Sequence, residues 1–73
     1  MSELTNLSAK EVIKTLERLG YKKVRMKGSH VILKKEYSPT LVIPYHKEIS
    51  EHLLKTQLKR AGISVEEFLS NLK

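Results

Sequence analysis

The chain has 73 residues, a formal net charge of +6 at pH 7 and no cysteine. A chain this short is expected to form one domain over residues 1–73, with neither disulfides nor thiolate metal ligands. Its N-terminus lacks a basic segment followed by an apolar run, and no apolar stretch is long enough to cross a bilayer, so we expect a cytoplasmic protein without membrane association. The excess of positive charge favours a polyanion or an acidic protein as partner.

The first predicted element is a helix over about residues 9–19. Ser8 and Glu11 have the spacing of a capping box, and Gly20 fits the left-handed position that ends many helices. Apolar residues recur at helical spacing along one face: Val12, Ile13, Leu16 and Leu19.

Three strands joined by short turns are predicted next. The order is strand 21–27, turn 28–29, strand 30–34, turn 36–39 and strand 40–44. Val24 and Met26 alternate with basic residues, which is typical of a half-buried strand. Pro39 favours a turn, and Pro44 closes the third strand.

Two further helices are predicted after residue 49. Ser50 can cap the first of them, which ends at Gly62, and Ser64 with Glu67 forms a second capping box. The apolar positions predicted to be buried are Leu53, Leu54, Leu58, Val65, Phe68, Leu69 and Leu72.

The order α-β-β-β-α-α favours an α+β fold, in which a three-stranded antiparallel sheet has its helices on one face. The other face is then expected to carry Lys23, Arg25 and His30.

The predicted hairpin is strongly basic. Residues 18–35 contain no acidic residue but seven cationic ones: Arg18, Lys22, Lys23, Arg25, Lys27, Lys34 and Lys35. His30 lies within this stretch, and histidine can both give and take a proton near neutral pH. A proton-transfer group among fixed cations makes RNA the first ligand to consider.

These residue types match the needs of a metal-free ribonuclease. Such an enzyme requires a base for the 2′-hydroxyl, cations for the phosphorane and an acid for the leaving 5′-oxygen. His30 can transfer the proton, and Arg25 and Lys27 can supply charge. Gly28 and Ser29 can offer backbone amides and a hydroxyl to phosphate oxygens. The alternative is that His30 is a solvated histidine in an ordinary hairpin.

The other candidate residues give weaker signals. His46 follows a strand end and could be the complementary acid or a phosphate contact, or else a loop histidine bonded to a carbonyl. His52 lies in the first turn of a helix and is expected to be a bystander. Because the histidines are not closely spaced and the chain lacks cysteine and aspartate, we expect neither a metal site nor a cofactor.

Two non-catalytic interpretations remain open at this point. Low aromatic content disfavours base readout and favours contact with the RNA backbone, so the chain could be an RNA-binding domain without catalysis. It could instead be an adaptor whose basic face docks an acidic protein.

Four segments, taken in order, resemble the HicA (YcfA-like) family of toxins: residues 19–21, 24–30, 44–49 and 58–69. The resemblance implies a fold like a double-stranded-RNA-binding domain and the activity of an mRNA interferase in a type II toxin–antitoxin system. It also implies a HicB-type antitoxin that covers the active site. By that pattern His30 corresponds to the catalytic histidine, acting by metal-independent transesterification, while Lys23, Arg25 and Lys27 hold phosphate.

The chain departs from the family pattern at three places. Val31 replaces what is often a second histidine, the loop of His46 is shorter, and a typical Gly-Thr is replaced around His52 and Leu53. None of these departures touches the segment Gly28-Ser29-His30.

Overall fold

The computed structural model describes residues 4–72. Within these residues, three helices and a three-stranded antiparallel sheet follow the predicted α+β order. The elements are α1 (Ala9–Arg18), β1 (Lys22–Lys27), β2 (His30–Lys34), β3 (Leu41–Pro44), α2 (Glu51–Ala61) and α3 (Val65–Ser70).

Serine side chains begin all three of these helices, as predicted. At α1 the capping box is complete, since Ser8 Oγ accepts from Glu11 N at 3.2 Å and Glu11 Oε1 accepts from Ser8 N at 3.0 Å. Ser50 Oγ accepts from Leu53 N and Ser64 Oγ accepts from Glu67 N, each at 3.0 Å, so both serines cap their helices. At α3 this is only the serine half of the predicted capping box. These bonds satisfy amide donors that a helix leaves unpaired at its start.

The core lies between the helices and one face of the sheet. Val31 and Leu33 of β2 are buried, as are Leu41 and Ile43 of β3. They pack against residues from the helices and loops, among them Val12, Leu16, Ile49, Leu54, Leu58 and Phe68.

The edge strand β1 contains an irregularity that the sequence pattern did not predict. Arg25 pairs with Ile32 and Lys23 pairs with Leu33, so Val24 is an extra residue in β1. An extra residue interrupts the alternation of side chains between the two faces of the sheet. Residues before it therefore lie on the opposite face from the one that uninterrupted alternation with the later residues would give them.

The prediction of a half-buried first strand is wrong. Every residue of β1 is exposed, with Val24 at 47% and Met26 at 51%. Strand β1 is at the edge of the sheet, and the cleft between it and α1 is open to solvent. Val65, also predicted to be buried, is 38% exposed at the start of α3.

Tyr21 connects the end of α1 to the turn between β2 and β3. Its side chain is 3% exposed, and its hydroxyl donates to the Pro39 carbonyl at 3.1 Å. Burial raises the pKa of Tyr21 above its ordinary value, while a hydrogen bond with Ser38 and the positive charge of Arg60 oppose part of that effect. Lys35 Nζ covers this region, lying 5.9 Å from the Tyr21 ring centroid and donating to the Leu19 carbonyl at 2.9 Å.

None of the helices in the described part of the chain is long and apolar enough to cross a membrane.

Candidate nucleic-acid interface

The turn between β1 and β2 is a two-residue loop, Gly28 and Ser29, as predicted. Gly28 has φ +60°, and a Cβ added there would meet no atom within 4 Å. The loop therefore needs glycine for its backbone conformation and leaves open space for a ligand. Ser29 is fixed from the other side, because its carbonyl accepts from Tyr45 N at 2.6 Å.

His30 is the first residue of β2 and is exposed beside this turn. It pairs with Lys27 of β1 and with Pro44 of β3. Since the next residue, Val31, is buried on the helix side, alternation places His30 on the helix-free face. Within residues 4–72 the structure gives its imidazole no hydrogen-bond or ion-pair partner, so both ring nitrogens are open to a ligand.

Basic residues surround His30 on the helix-free face. Directly opposed residues of an antiparallel pair share a face, so Lys27 accompanies His30, and Arg25 accompanies Ile32. Lys22 and Lys34 form a further pair on this face. A shallow depression of about 450 Å³ lies there, lined by Val24, Arg25, Ile32 and Lys34.

The predicted site residues Arg25, Lys27 and His30 are therefore together, and Lys22 and Lys34 join them. Sequence reasoning counted Lys22 and Lys34 among the cations but not among the site residues. Their positions become clear only from the pairing register, since Lys22 directly opposes Lys34.

Lys23 is not on the helix-free face, and its predicted placement there is wrong. It pairs with the buried Leu33 and lines a groove together with Ile13 of α1. The cause is the extra residue Val24, which breaks the alternation on which the prediction relied.

His46 lies at the same end of the sheet but on the side of α1. It is exposed and lines a depression of about 390 Å³ with Ser8, Lys10, Tyr45 and Lys47. Its backbone carbonyl accepts from Ala9 N at 3.0 Å, which attaches this loop to the start of α1. His52 is exposed in the first turn of α2.

Among residues 4–72, no group of three or more histidine, cysteine, aspartate or glutamate residues lies close enough to hold a metal ion.

A three-stranded antiparallel sheet with helices on one face and exposed cations on the other makes this chain an α+β domain with a basic surface. The sequence model of a family described as the HicA toxin of bacterial toxin–antitoxin matches residues 9–63. This match covers more than half of the chain, from the start of α1 to just beyond α2, and the chain belongs to the HicA toxin family. Its order α-β-β-β-α-α is consistent with the fold of that family, which resembles a double-stranded-RNA-binding domain. A comparison with curated proteins gave no match.

Proposed function

We propose that this HicA-family toxin is an endoribonuclease in which His30 transfers a proton during cleavage of the RNA backbone. The observation that carries the proposal is the position of His30, exposed opposite Lys27 and next to the open turn at Gly28. Every ionisable residue in the three strands is basic, so the strands attract phosphate and carry no negative charge that would repel it.

The reaction is a transesterification that uses the 2′-hydroxyl of the substrate. A base removes the 2′-hydroxyl proton, the 2′-oxygen forms a bond to phosphorus, and the bond from phosphorus to the 5′-oxygen breaks. An acid then protonates that 5′-oxygen, giving a 2′,3′-cyclic phosphate and a 5′-hydroxyl. His30 supplies one of these two proton transfers, a contribution of about 10²- to 10⁴-fold in rate.

The cations and the turn stabilise the charge that develops on the phosphorane. Arg25 and Lys27 lie on the same face as His30 and neutralise phosphate oxygens. The backbone amides of Gly28 and Ser29, with the Ser29 hydroxyl, can donate to those oxygens because the turn is exposed. His46 and Lys23 lie on the side of α1 and contact phosphates farther along the RNA.

We further propose that a HicB-type antitoxin inhibits the toxin by covering the helix-free face. Membership of a toxin–antitoxin family supports such a partner, and the exposed cations of this face favour an acidic one. A short reading frame next to this one that encodes an antitoxin-like protein would identify it. One equivalent of that protein is expected to stop RNA cleavage.

The end groups of the products test the proposal directly. The purified chain is incubated with single-stranded RNA in excess chelator, and we expect fragments with 2′,3′-cyclic phosphate and 5′-hydroxyl ends. An RNA with a 2′-deoxy sugar at the cleaved position is the matched control and stays intact. Fragments with 5′-phosphate ends, or loss of cleavage in chelator, would overturn the mechanism. Salt-sensitive binding without cleavage would favour the non-catalytic RNA-binding alternative.

A further inference from the structure

A second basic surface lies on the opposite side of β1 from His30. It is a groove of about 440 Å³ between α1 and β1. The groove is lined by Lys10, Ile13, Lys14, Glu17, Lys23, Met26, Val31 and Tyr45.

The residues of this groove combine charge, an apolar floor and an accessible aromatic ring. Three lysines outnumber a single glutamate among its lining residues. Ile13 and Val31 are buried, whereas Met26 is 51% exposed and Tyr45 is 50% exposed. A cationic groove with an exposed aromatic side chain is the combination that binds single-stranded nucleic acid, since phosphates meet cations and a base stacks on the ring.

Tyr45 joins this groove to the turn that carries His30. Its backbone N–H donates to the Ser29 carbonyl at 2.6 Å, so the ring and His30 are held at the same end of the sheet. Tyr45 and Lys10 also line the neighbouring depression that contains His46 and Lys47. A basic surface therefore continues from the turn around the end of the sheet and along α1.

We propose that the α1–β1 groove is a subsite for single-stranded RNA, in which Tyr45 stacks on a base next to the cleaved bond. Lys10, Lys14 and Lys23 contact the phosphates that follow. This inference rests on the proposed function, because it places the groove on the path of the strand that His30 cleaves. It also gives the proposed enzyme a preference for unpaired RNA, since bases inside a duplex cannot offer their faces to Tyr45.

The test measures affinity in a His30→Ala background, so that RNA binding is read without cleavage. A fluorescent single-stranded RNA is titrated with three further variants, Tyr45→Ala, Tyr45→Phe and Tyr37→Ala. We expect Tyr45→Ala to weaken binding by about 5- to 100-fold and Tyr45→Phe to retain it. Tyr37 is the matched control, because it is 99% exposed in the turn between β2 and β3, outside the groove.

Side-chain changes at Tyr45 leave its backbone bond to Ser29 in place, so a loss of affinity would not come from a displaced turn. Equal affinity of the Tyr45→Ala and Tyr37→Ala proteins would overturn the subsite. If the Tyr45→Ala protein keeps its RNA affinity but loses antitoxin binding, the groove binds an acidic protein instead. If the protein with His30 intact does not cleave RNA but the Tyr45 difference persists, the proposed enzyme fails while the binding subsite stands.

Discussion

Lys27 and His30 are the directly opposed residues that flank the Gly28-Ser29 turn, at the last pair of the β1–β2 ladder. Opposed residues of an antiparallel pair have Cβ atoms about 4.5–5.5 Å apart on one face of the sheet. One phosphate can therefore contact the ammonium group of Lys27 and the imidazole of His30 together. The two residues belong to one hairpin, and a bond from Tyr45 N to the Ser29 carbonyl holds its turn against the end of β3.

The glycine of the turn offers a matched pair of substitutions. Gly28 and Gly62 have similar positive φ values, +60° and +73°, and a Cβ would meet nothing within 4 Å at either. Gly28→Ala and Gly62→Ala are each expected to lower the free energy of unfolding by about 1–2 kcal/mol, the cost of the left-handed conformation. Urea denaturation measures both.

Only Gly28→Ala is also expected to slow RNA cleavage, by about tenfold or more, because its methyl group displaces the phosphate from the turn. Gly62 ends α2 and serves as the stability control. Equal cleavage by the two variants, measured where both are folded, would show that the turn does not contact the substrate.

The cations of the helix-free face predict a change in the salt dependence of RNA binding. If Arg25 and Lys34 each contact one phosphate, Arg25→Ala and Lys34→Ala should each reduce the slope of log affinity against log salt by about 0.7. Lys59→Ala removes the same charge from the last turn of α2 and is expected to leave the slope nearly unchanged. Identical slopes for all three variants would mean that the face attracts RNA only through the net charge of the protein.

Because of Tyr21, we expect the free energy of unfolding to fall at high pH. Because burial raises its pKa, the folded protein holds the phenolic proton more tightly than the unfolded chain does. This contribution is complete below the unfolded-state pKa of about 10 and is lost as the pH rises above that value. The free energy of unfolding should therefore fall between about pH 8 and about pH 11 by more in the wild type than in Tyr21→Phe.

The Tyr21→Phe protein also lacks the hydroxyl that donates to Pro39, so about 1 kcal/mol of stability should be missing at neutral pH. Parallel pH profiles for the two proteins would show that Tyr21 does not cause the alkaline effect.

Much of the fold could be predicted because its signals are local. Ser8 with Glu11, Ser50 and Ser64 mark the helix starts, since a capping side chain bonds within three residues of itself. Gly62 marks a helix end for a similar reason. The burial of β1 could not be predicted, because it depends on how far α1 reaches over the sheet edge.

In the candidate site, too, the local features could be predicted from sequence and the long-range ones could not. The Gly28-Ser29 turn and His30 could be placed from sequence, since a two-residue loop fixes the pair that flanks it. Lys23 was misplaced because alternation cannot reveal an extra residue such as Val24. The position of Tyr45 beside the turn could not be predicted, because only the register of β3 and the course of its following loop bring it to Ser29.

The most direct test of the account compares His30→Ala with His52→Ala in RNA cleavage under excess chelator. Both remove an exposed histidine, but His52 lies in α2, whereas His30 lies at the turn on the helix-free face. We expect His30→Ala to lose about 10²- to 10⁴-fold in the cleavage rate while keeping its fold, and His52→Ala to cleave like the wild type. Equal cleavage rates for His30→Ala and the wild type would contradict the assignment of His30 as the catalytic residue.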